Sequence, residues 1–396
     1  MQDAFDASEA SDGSHTEPAP PQDSYGYQPR QLVLLGAGHA HVQVLAYLAA
    51  HPIVGARITL VAPHPRQLYS GMLPGCVAGH YRLEECVIPL EPLVRRAGIR
   101  WLHRSVKALN TVDAKVHLDD GSAVDYEWLS VNTGPVQNRS LMELALPGAR
   151  EHGLFVRPLE TFAALWPKVL ALGQQRPLRI AVIGGGAAGI ELVMAVRHRM
   201  PQAALTLLAG PQPLSSGYPA VVQQRVARAL RQRNITVLQD SALSLNGREV
   251  QLGCGAALAC DVPLIATGAQ APPWLAGSGL ALDPQGFMSV NAHQQSTSHA
   301  QVFAAGDVSS RADCSLARSG VYAVRAGPVL CQNLRAAVEG LPLQKHQPTE
   351  RSLNLISCGG REAIASWGEY SAQGRWVWWL KNRIDRRFIA RYSFPP

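Results

Sequence analysis

Apolar positions in this chain fall into short unbroken runs separated by glycine-rich or polar turns, and several runs have strand character. Gln31-Leu-Val-Leu-Leu35 and Leu178-Arg-Ile-Ala-Val-Ile183 each lead into a glycine turn and then into a helical pattern, a strand–turn–helix order. Further strand runs follow at Ile58–Ala62, Leu205–Gly210, Leu129–Val131, Leu264–Ala266 and Val302–Ala305. The alternation predicts an α/β fold with two nested Rossmann-like dinucleotide-binding domains and a short C-terminal region. Landmark order places a tail at 1–30, one domain at 31–150 and an inserted domain at 151–268. The first domain then resumes at 269–340, and a C-terminal region with an amphipathic helix fills 341–396.

The two glycine turns are Gly36-Ala-Gly38-His-Ala-His41 and Gly184-Gly-Gly186-Ala-Ala-Gly189, 148 residues apart. In such turns the glycines let the backbone approach a pyrophosphate, whose charge the free amides and positive dipole end of the next helix hold. Two copies imply two dinucleotides. The second turn has all three glycines; the first carries His41 at the third position, so that site must accommodate a side chain. Twenty-six residues past each first glycine stand Ala62 and Gly210, where a carboxylate usually holds the ribose hydroxyls. Neither has one, and no arginine follows at 211–214, so NADH and NADPH are not distinguished.

Composition bounds the remaining choices. A chain of 396 residues can bury a full core, and no apolar run approaches the ~18 residues a membrane span needs. The first 30 residues are acidic and rich in Ser, Pro and Gly, and read as a disordered tail rather than a signal peptide. Apart from that tail's six acids and one base, the chain has 35 bases against 23 acids. Anionic cofactors, acidic lipid or solvated arginines account for such a balance; no nucleic-acid module is visible. Seven cysteines without CxxC or CxxxxC spacing read as buried residues of a reducing, cytoplasmic protein, with no metal site.

In this order of landmarks the chain resembles the pyridine nucleotide-disulfide oxidoreductase superfamily over residues 31–340. There the first domain binds FAD, the inserted one NADH or NADPH, and a Gly-Asp pair, here Gly306-Asp307, reaches the flavin's ribityl chain. Disulfide reductases of that superfamily carry CxxxxC after the second strand. Here the stretch reads Tyr69-Ser-Gly-Met72-Leu-Pro-Gly75-Cys76, with no further cysteine until Cys86, which argues against a dithiol relay of the usual geometry. These words, with Gly320-Val-Tyr-Ala-Val-Arg325-Ala-Gly-Pro328 and Trp379-Leu-Lys-Asn-Arg-Ile-Asp-Arg-Arg387-Phe388, are similar to type II NADH dehydrogenases. They are especially similar to the flavoprotein module often fused to selenophosphate synthetase.

The resemblance implies a hydride transfer from nicotinamide to FAD and on to a small acceptor, a quinone among the choices. The cofactor-binding set it implies comprises Gly36, Gly38, His39, His41, Met72, Leu73, Pro74, Val106, Thr133, Gly134, Gly184, Gly186, Gly189, Thr267, Gly268, Gly306, Asp307 and Ala323. Glu191 is a catalytic candidate because the family's equivalent faces the rings; the plainer reading is a carboxylate on a helix dipole. Arg325 stands where type II dehydrogenases have glutamines, and serves either an anionic group at the site or a structural ion pair. In the last helix Trp376, Leu380, Ile384 and Phe388 follow i, i+4 spacing among bases, suiting a membrane interface or a packed helix in a homodimer. At most weak peripheral association, on the inner face of a membrane, is expected. A sulfide:quinone oxidoreductase with Cys358 at its site, and a redox sensor docking on a selenium-metabolism partner such as selenophosphate synthetase, are the rival readings.

Overall fold

The computed structural model describes residues 29–316, 318–349 and 351–393; all but the end of the expected acidic tail lies outside them, as does Ala317. Along the chain the elements that position the site are β1 (Arg30–Leu35), α1 (His39–Ala50), β2 (Ala56–Val61), α2 (Leu73–Val77), β3 (Arg100–Leu102) and β4 (Trp128–Val131). Then come β5 (Leu154–Phe155), α3 (Leu159–Gln175), β6 (Arg179–Ile183), α4 (Ala187–Arg199), β7 (Ala204–Leu208), β8 (Thr236–Leu238) and β9 (Val262–Ile265). The last part holds β10 (Val302–Ala304), α5 (Gly320–Glu339), β11 (Leu353–Ser357), β12 (Ala363–Trp367), β13 (Tyr370–Gly374) and α6 (Arg375–Tyr392).

Two five-stranded parallel sheets have the same winding. The first runs β10–β4–β1–β2–β3 and the second β5–β9–β6–β7–β8. In each, the strand before a glycine turn sits at the centre, with its βαβ successor on one side and a later strand on the other. Unbroken apolar sequence is what this position demands, because both faces of the strand are covered. Leu32 and Leu34 pack into one apolar cluster while Val33 and Leu35 face another; Val182 and Ile183 divide the same way.

The chain leaves the first sheet after β4, builds the second, and returns with β10 beside β4. Both switch points therefore open at the carboxyl ends of central strands, where open α/β sheets bind ligands. A three-stranded antiparallel meander, β11–β12–β13, follows, and α6 packs on it and reaches α1. Among the described residues no helix is long and apolar enough to cross a membrane.

Candidate functional site

The first turn is built around Asn132. Gly36 has φ +80°, and a Cβ there would lie 2.7 Å from Thr133 Cα; a Cβ on Gly38 would lie 2.5 Å from Asn132 Oδ1. These glycines are required by the approach of the Asn132–Gly134 loop. Asn132 Oδ1 accepts from the amides of Ala40 and His41 (3.1 and 3.0 Å), and its Nδ2 donates to Ala305 O. The free amides expected at the start of α1 are thus partly taken by the protein, and Asn132, unremarked in the sequence, ties β1, β4 and β10 together. His41 also departs from expectation as a cofactor ligand. Its buried ring donates from Nδ1 to Gly36 O (2.6 Å) and accepts at Nε2 from Ser130 (2.8 Å), so neither nitrogen is left for a ligand. Burial pushes it down to about 4, in keeping with a neutral ring.

The second turn is different. A Cβ on Gly189 would fall 2.0 Å from Gly184 O, the close helix–strand approach that the third glycine permits. A Cβ added on Gly184 (φ +135°) would lie 3.0 Å from the backbone of Ala266, whereas Gly186 faces open space. No side chain caps α4 at Gly186. Its first amides keep their dipole end unclaimed by side chains, which α1 does not.

Other members of the set ring the carboxyl ends of the strands. Gly134 and Gly268 have positive φ and open surroundings; Gly306 (φ +76°) abuts Ala323 at the start of α5. Gln137 Nε2 donates to Ile265 O and Thr267 O (3.0 and 2.8 Å), and its Oε1 accepts from Arg157 N (2.7 Å), joining the two chain crossovers. Val106 stands apart, at the head of strand Val106–Asn110 and against the cluster of Val33, Leu35 and Val61. Met72, Leu73 and Pro74 are buried. Three polar groups here stand half-buried, one of them with a partnerless ring nitrogen. Burial raises the Asp307 carboxyl above its ordinary range against the charges of Arg157 and Arg318, yet among the described residues it takes no side-chain hydrogen bond. Arg157 is itself depressed by burial, facing Asp307 and Glu160 with no hydrogen bond from its guanidinium among the described residues. His39 Nε2 is buried without a partner, its ring edge-on to Tyr69 at 5.2 Å.

The most charged part of the site lies where α4, α6 and the Tyr69–Gly75 loop meet. Glu191 Oε1 accepts Ser357 N (2.7 Å), and burial raises its carboxyl to about 7 although Lys381 opposes the shift. Lys381 Nζ donates to Gly71 O and to Asp385 Oδ2, both at 2.7 Å, and the Tyr69 hydroxyl donates to Asp385. Burial disfavours the ammonium, but Asp385 and Glu191 outweigh it and hold Lys381 above its ordinary value. Glu191 therefore faces β11 and Lys381 and lies beyond the first turn of α4, which overturns the plainer helix-dipole reading.

Arg325 belongs elsewhere: it is exposed and donates to Thr349 Oγ1, away from this cluster. The expected stripe on α6 is also redrawn. Val377, Lys381, Asp385 and Ile389 form the inward row, and Phe388 stacks on Tyr69 at 4.7 Å. Trp376 (60% exposed), Trp379 (57%) and Ile384 (43%) face out. Lys381 and Asp385 escaped the sequence reading because an i, i+4 ion pair amid arginines looks like a solvated surface pair. The one signal was their alignment with Val377 and Ile389.

Two cysteine expectations meet the structure differently. Cys358 is buried, burial pushes its thiol up to about 12, and it donates to Ile356 O, which makes it a packed residue. Cys86 is buried and its thiol donates to Arg82 O (3.4 Å), while Cys76 is half-buried on α2.

The geometry has its counterpart in a known family: the pyridine nucleotide-disulphide oxidoreductase profile matches residues 30–333. The chain belongs to that family. It is an oxidoreductase with paired nucleotide folds, similar over its length to relatives with quinones in their names. Demethylphylloquinone reductase of Synechocystis sp. is 24% identical over 387 residues, covering 92% of each protein. Among solved structures, the sulfide:quinone oxidoreductase of Aquifex aeolicus superimposes with a TM-score of 0.75 at 16% identity, covering 93% of each chain. NDH2 of Plasmodium falciparum, solved with NADH, gives 0.72 at 13% identity over 93% of this chain and 99% of that one. At such identities these two establish the shared fold.

Proposed function

We propose that the chain is an FAD-dependent NAD(P)H oxidoreductase that delivers two electrons to a quinone. FAD lies at the first switch point, in the domain formed by residues 31–150 and 269–340, and the nicotinamide nucleotide at the second, in residues 151–268. The observation that carries this reading is the half-buried pair Asp307 and Arg157 facing each other's charge at the first switch point, beside the buried and partnerless Nε2 of His39. A half-buried carboxylate whose charge burial already disfavours gains from a ligand that supplies donors, and the half-buried guanidinium facing it suits an anion. A dinucleotide offers hydroxyls and a pyrophosphate. The open Gly186 face and the α4 dipole end suit a second pyrophosphate.

Bound flavin supplies the two-electron chemistry; the chain holds, dries and protonates. Thr133, Gly134, Gly306 and Ala323 ring the first cofactor beside the loop that Gly36 and Gly38 admit, and Gly186, Thr267 and Gly268 ring the second, with Gly184 turning the chain against Ala266. Met72, Leu73 and Pro74 exclude water from one side. Reducing a quinone to a quinol consumes two protons, and Glu191, poised near neutrality, is the group fitted to hold one. Lys381 keeps a fixed positive charge beside it and pins the loop through Gly71 O. A quinone acceptor is supported by the demethylphylloquinone reductase likeness and by the outward Trp376, Trp379 and Ile384, which suit contact with a lipid surface. The sulfide reading is disfavoured by the buried, hydrogen-bonded Cys358 thiol.

The test is cofactor identity and retention. Denaturing the purified protein releases FAD in near-equal amount, and Asp307→Ala weakens its retention by about 1.5–3 kcal/mol through loss of a charge-assisted hydrogen bond. Full flavin content and affinity in that variant remove Asp307 from the site.

A further inference from the structure

We propose that the cavity between α2 and α3 is a binding site for a small apolar carboxylate, such as a medium-chain fatty acid, apart from the dinucleotide and acceptor sites. The cavity measures about 370 Å³, a size that takes small ligands, and neither glycine turn lines it. It lies where the two nucleotide domains meet. Leu73 and Val77 of α2 form one wall, Phe162 and Leu170 of α3 the other, and Arg199 stands beside them at the end of α4. Neighbouring helices ordinarily close such a space with interlocking side chains, because interiors pack as densely as organic crystals. Here the apolar walls stand apart by the width of a small molecule.

Two donors at this cavity have no acceptor from the protein. Trp166 lines it and is 5% exposed, and its Nε1 is buried with no partner among the described residues. Buried N–H groups are almost always paired, so this one calls for an acceptor from outside the chain. The second donor is Arg199. The last turn of α4 holds Arg197, His198 and Arg199, and Arg197 commits its guanidinium to the carbonyls of Pro201, Ala203 and Asn234. Arg199 has no hydrogen bond or ion pair among the described residues, and its guanidinium lies over Gly79 at the cavity, where an added Cβ would come within 3.0 Å of Nη1. Arg82 adds a further positive charge at the rim. Among the lining residues the one carboxylate is Glu85, which already accepts from Arg82 N (2.8 Å) and Arg386 Nη1 (3.1 Å).

These features select the ligand. A carboxylate answers both donors, since it accepts from an indole N–H and makes a charge-assisted bond with a guanidinium. Inorganic phosphate meets the arginines but leaves the apolar walls uncovered, and a neutral alcohol covers the walls but leaves Arg199 without an anion. An acyl chain against Phe162, Leu170, Leu73 and Val77 adds binding energy through the apolar area it removes from water. One wall belongs to each nucleotide domain, and α2 begins within the Tyr69–Gly75 loop. The bound acid therefore ties that loop to the inserted domain.

The experiment titrates the flavin-loaded protein calorimetrically with sodium decanoate, kept below the concentration at which it forms micelles. The expected result is saturable binding at a single site. Decanol, without the charge, binds about tenfold more weakly, and Arg199→Gln costs decanoate a similar factor, the worth of one charge-assisted contact. Trp166→Phe removes the N–H and weakens decanoate by about three- to tenfold. Ala163→Phe places a ring in the cavity and blocks binding; Arg199→Gln, at an exposed position, tests the site without disturbing the core. Trp376→Ser with Trp379→Ser leaves decanoate binding unchanged, which separates the cavity from the outward face of α6. A soluble quinone analogue does not displace the acid. The absence of saturable binding overturns the site, as does binding that Arg199→Gln and Trp166→Phe both leave unaltered or that the paired tryptophan substitutions abolish. Displacement by the quinone overturns its separateness from the acceptor site, and equal affinities for decanoate and decanol overturn the carboxylate recognition.

Discussion

At Glu191 burial outweighs the opposing charge of Lys381. Its carboxyl is raised from the ordinary value of 4.5 to about 7 by burial, with Lys381 pulling the other way. It is protonated below that pH and loses its proton as pH rises through it. If it supplies a proton to the acceptor, quinone reduction falls as pH climbs from about 6 to 8. Glu191→Gln is expected to lower the rate by about 10²-fold near pH 6 and to flatten this profile. Linkage gives a second reading of the same group. Between 4.5 and 7 the folded protein binds the proton more tightly than the unfolded chain, so the wild type loses stability relative to Glu191→Gln over that window as pH rises. A profile unchanged by the substitution removes Glu191 from proton transfer. Its place beside the second turn was legible, since it stands two positions past the last glycine. Lys381 and Asp385 were not legible, because what sets them apart is contact with Gly71 and Tyr69, more than 300 positions away.

At the scale of an element, the two glycine turns look alike in sequence and differ in what surrounds them. Glycine spacing tells that backbone comes close to something; it does not tell whether the neighbour is a ligand or Asn132. At α1 the neighbour is protein, and His41 in place of the third glycine is paired with Gly36 and Ser130. At α4 the two requirements separate by residue. Gly186 has extended backbone and open space, so Gly186→Val is expected to leave folding and bound FAD intact while abolishing reduction by NADH and NADPH. Gly189→Val, driven against Gly184 O, is expected instead to destabilise the fold by about 1–3 kcal/mol. Thermal melts and flavin bleaching separate the outcomes; loss of FAD from Gly186→Val would reverse the assignment of the two turns.

For the whole molecule, the paired parallel sheets were legible because each strand run, turn and Gly-Asp landmark follows in an order that few folds share. The orientation of α6 was not, since tryptophans occur all round it and only packing on β11–β13 and Tyr69 selects the inward face. With Trp376, Trp379 and Ile384 outward beside the exposed Arg383 and Arg387, vesicles of anionic lipid are expected to float the protein at low salt and release it at high salt. Trp376→Ser with Trp379→Ser should abolish flotation; binding that resists salt would mean a firmer anchor than this face provides. The central claim is electron flow from nicotinamide through FAD to a quinone, and anaerobic stopped-flow on the flavin-loaded protein tests it most directly. NADH or NADPH is expected to bleach the flavin band at a rate no slower than turnover, and a soluble quinone analogue to restore it. A band that neither nucleotide bleaches, or that a quinone fails to restore, contradicts the account.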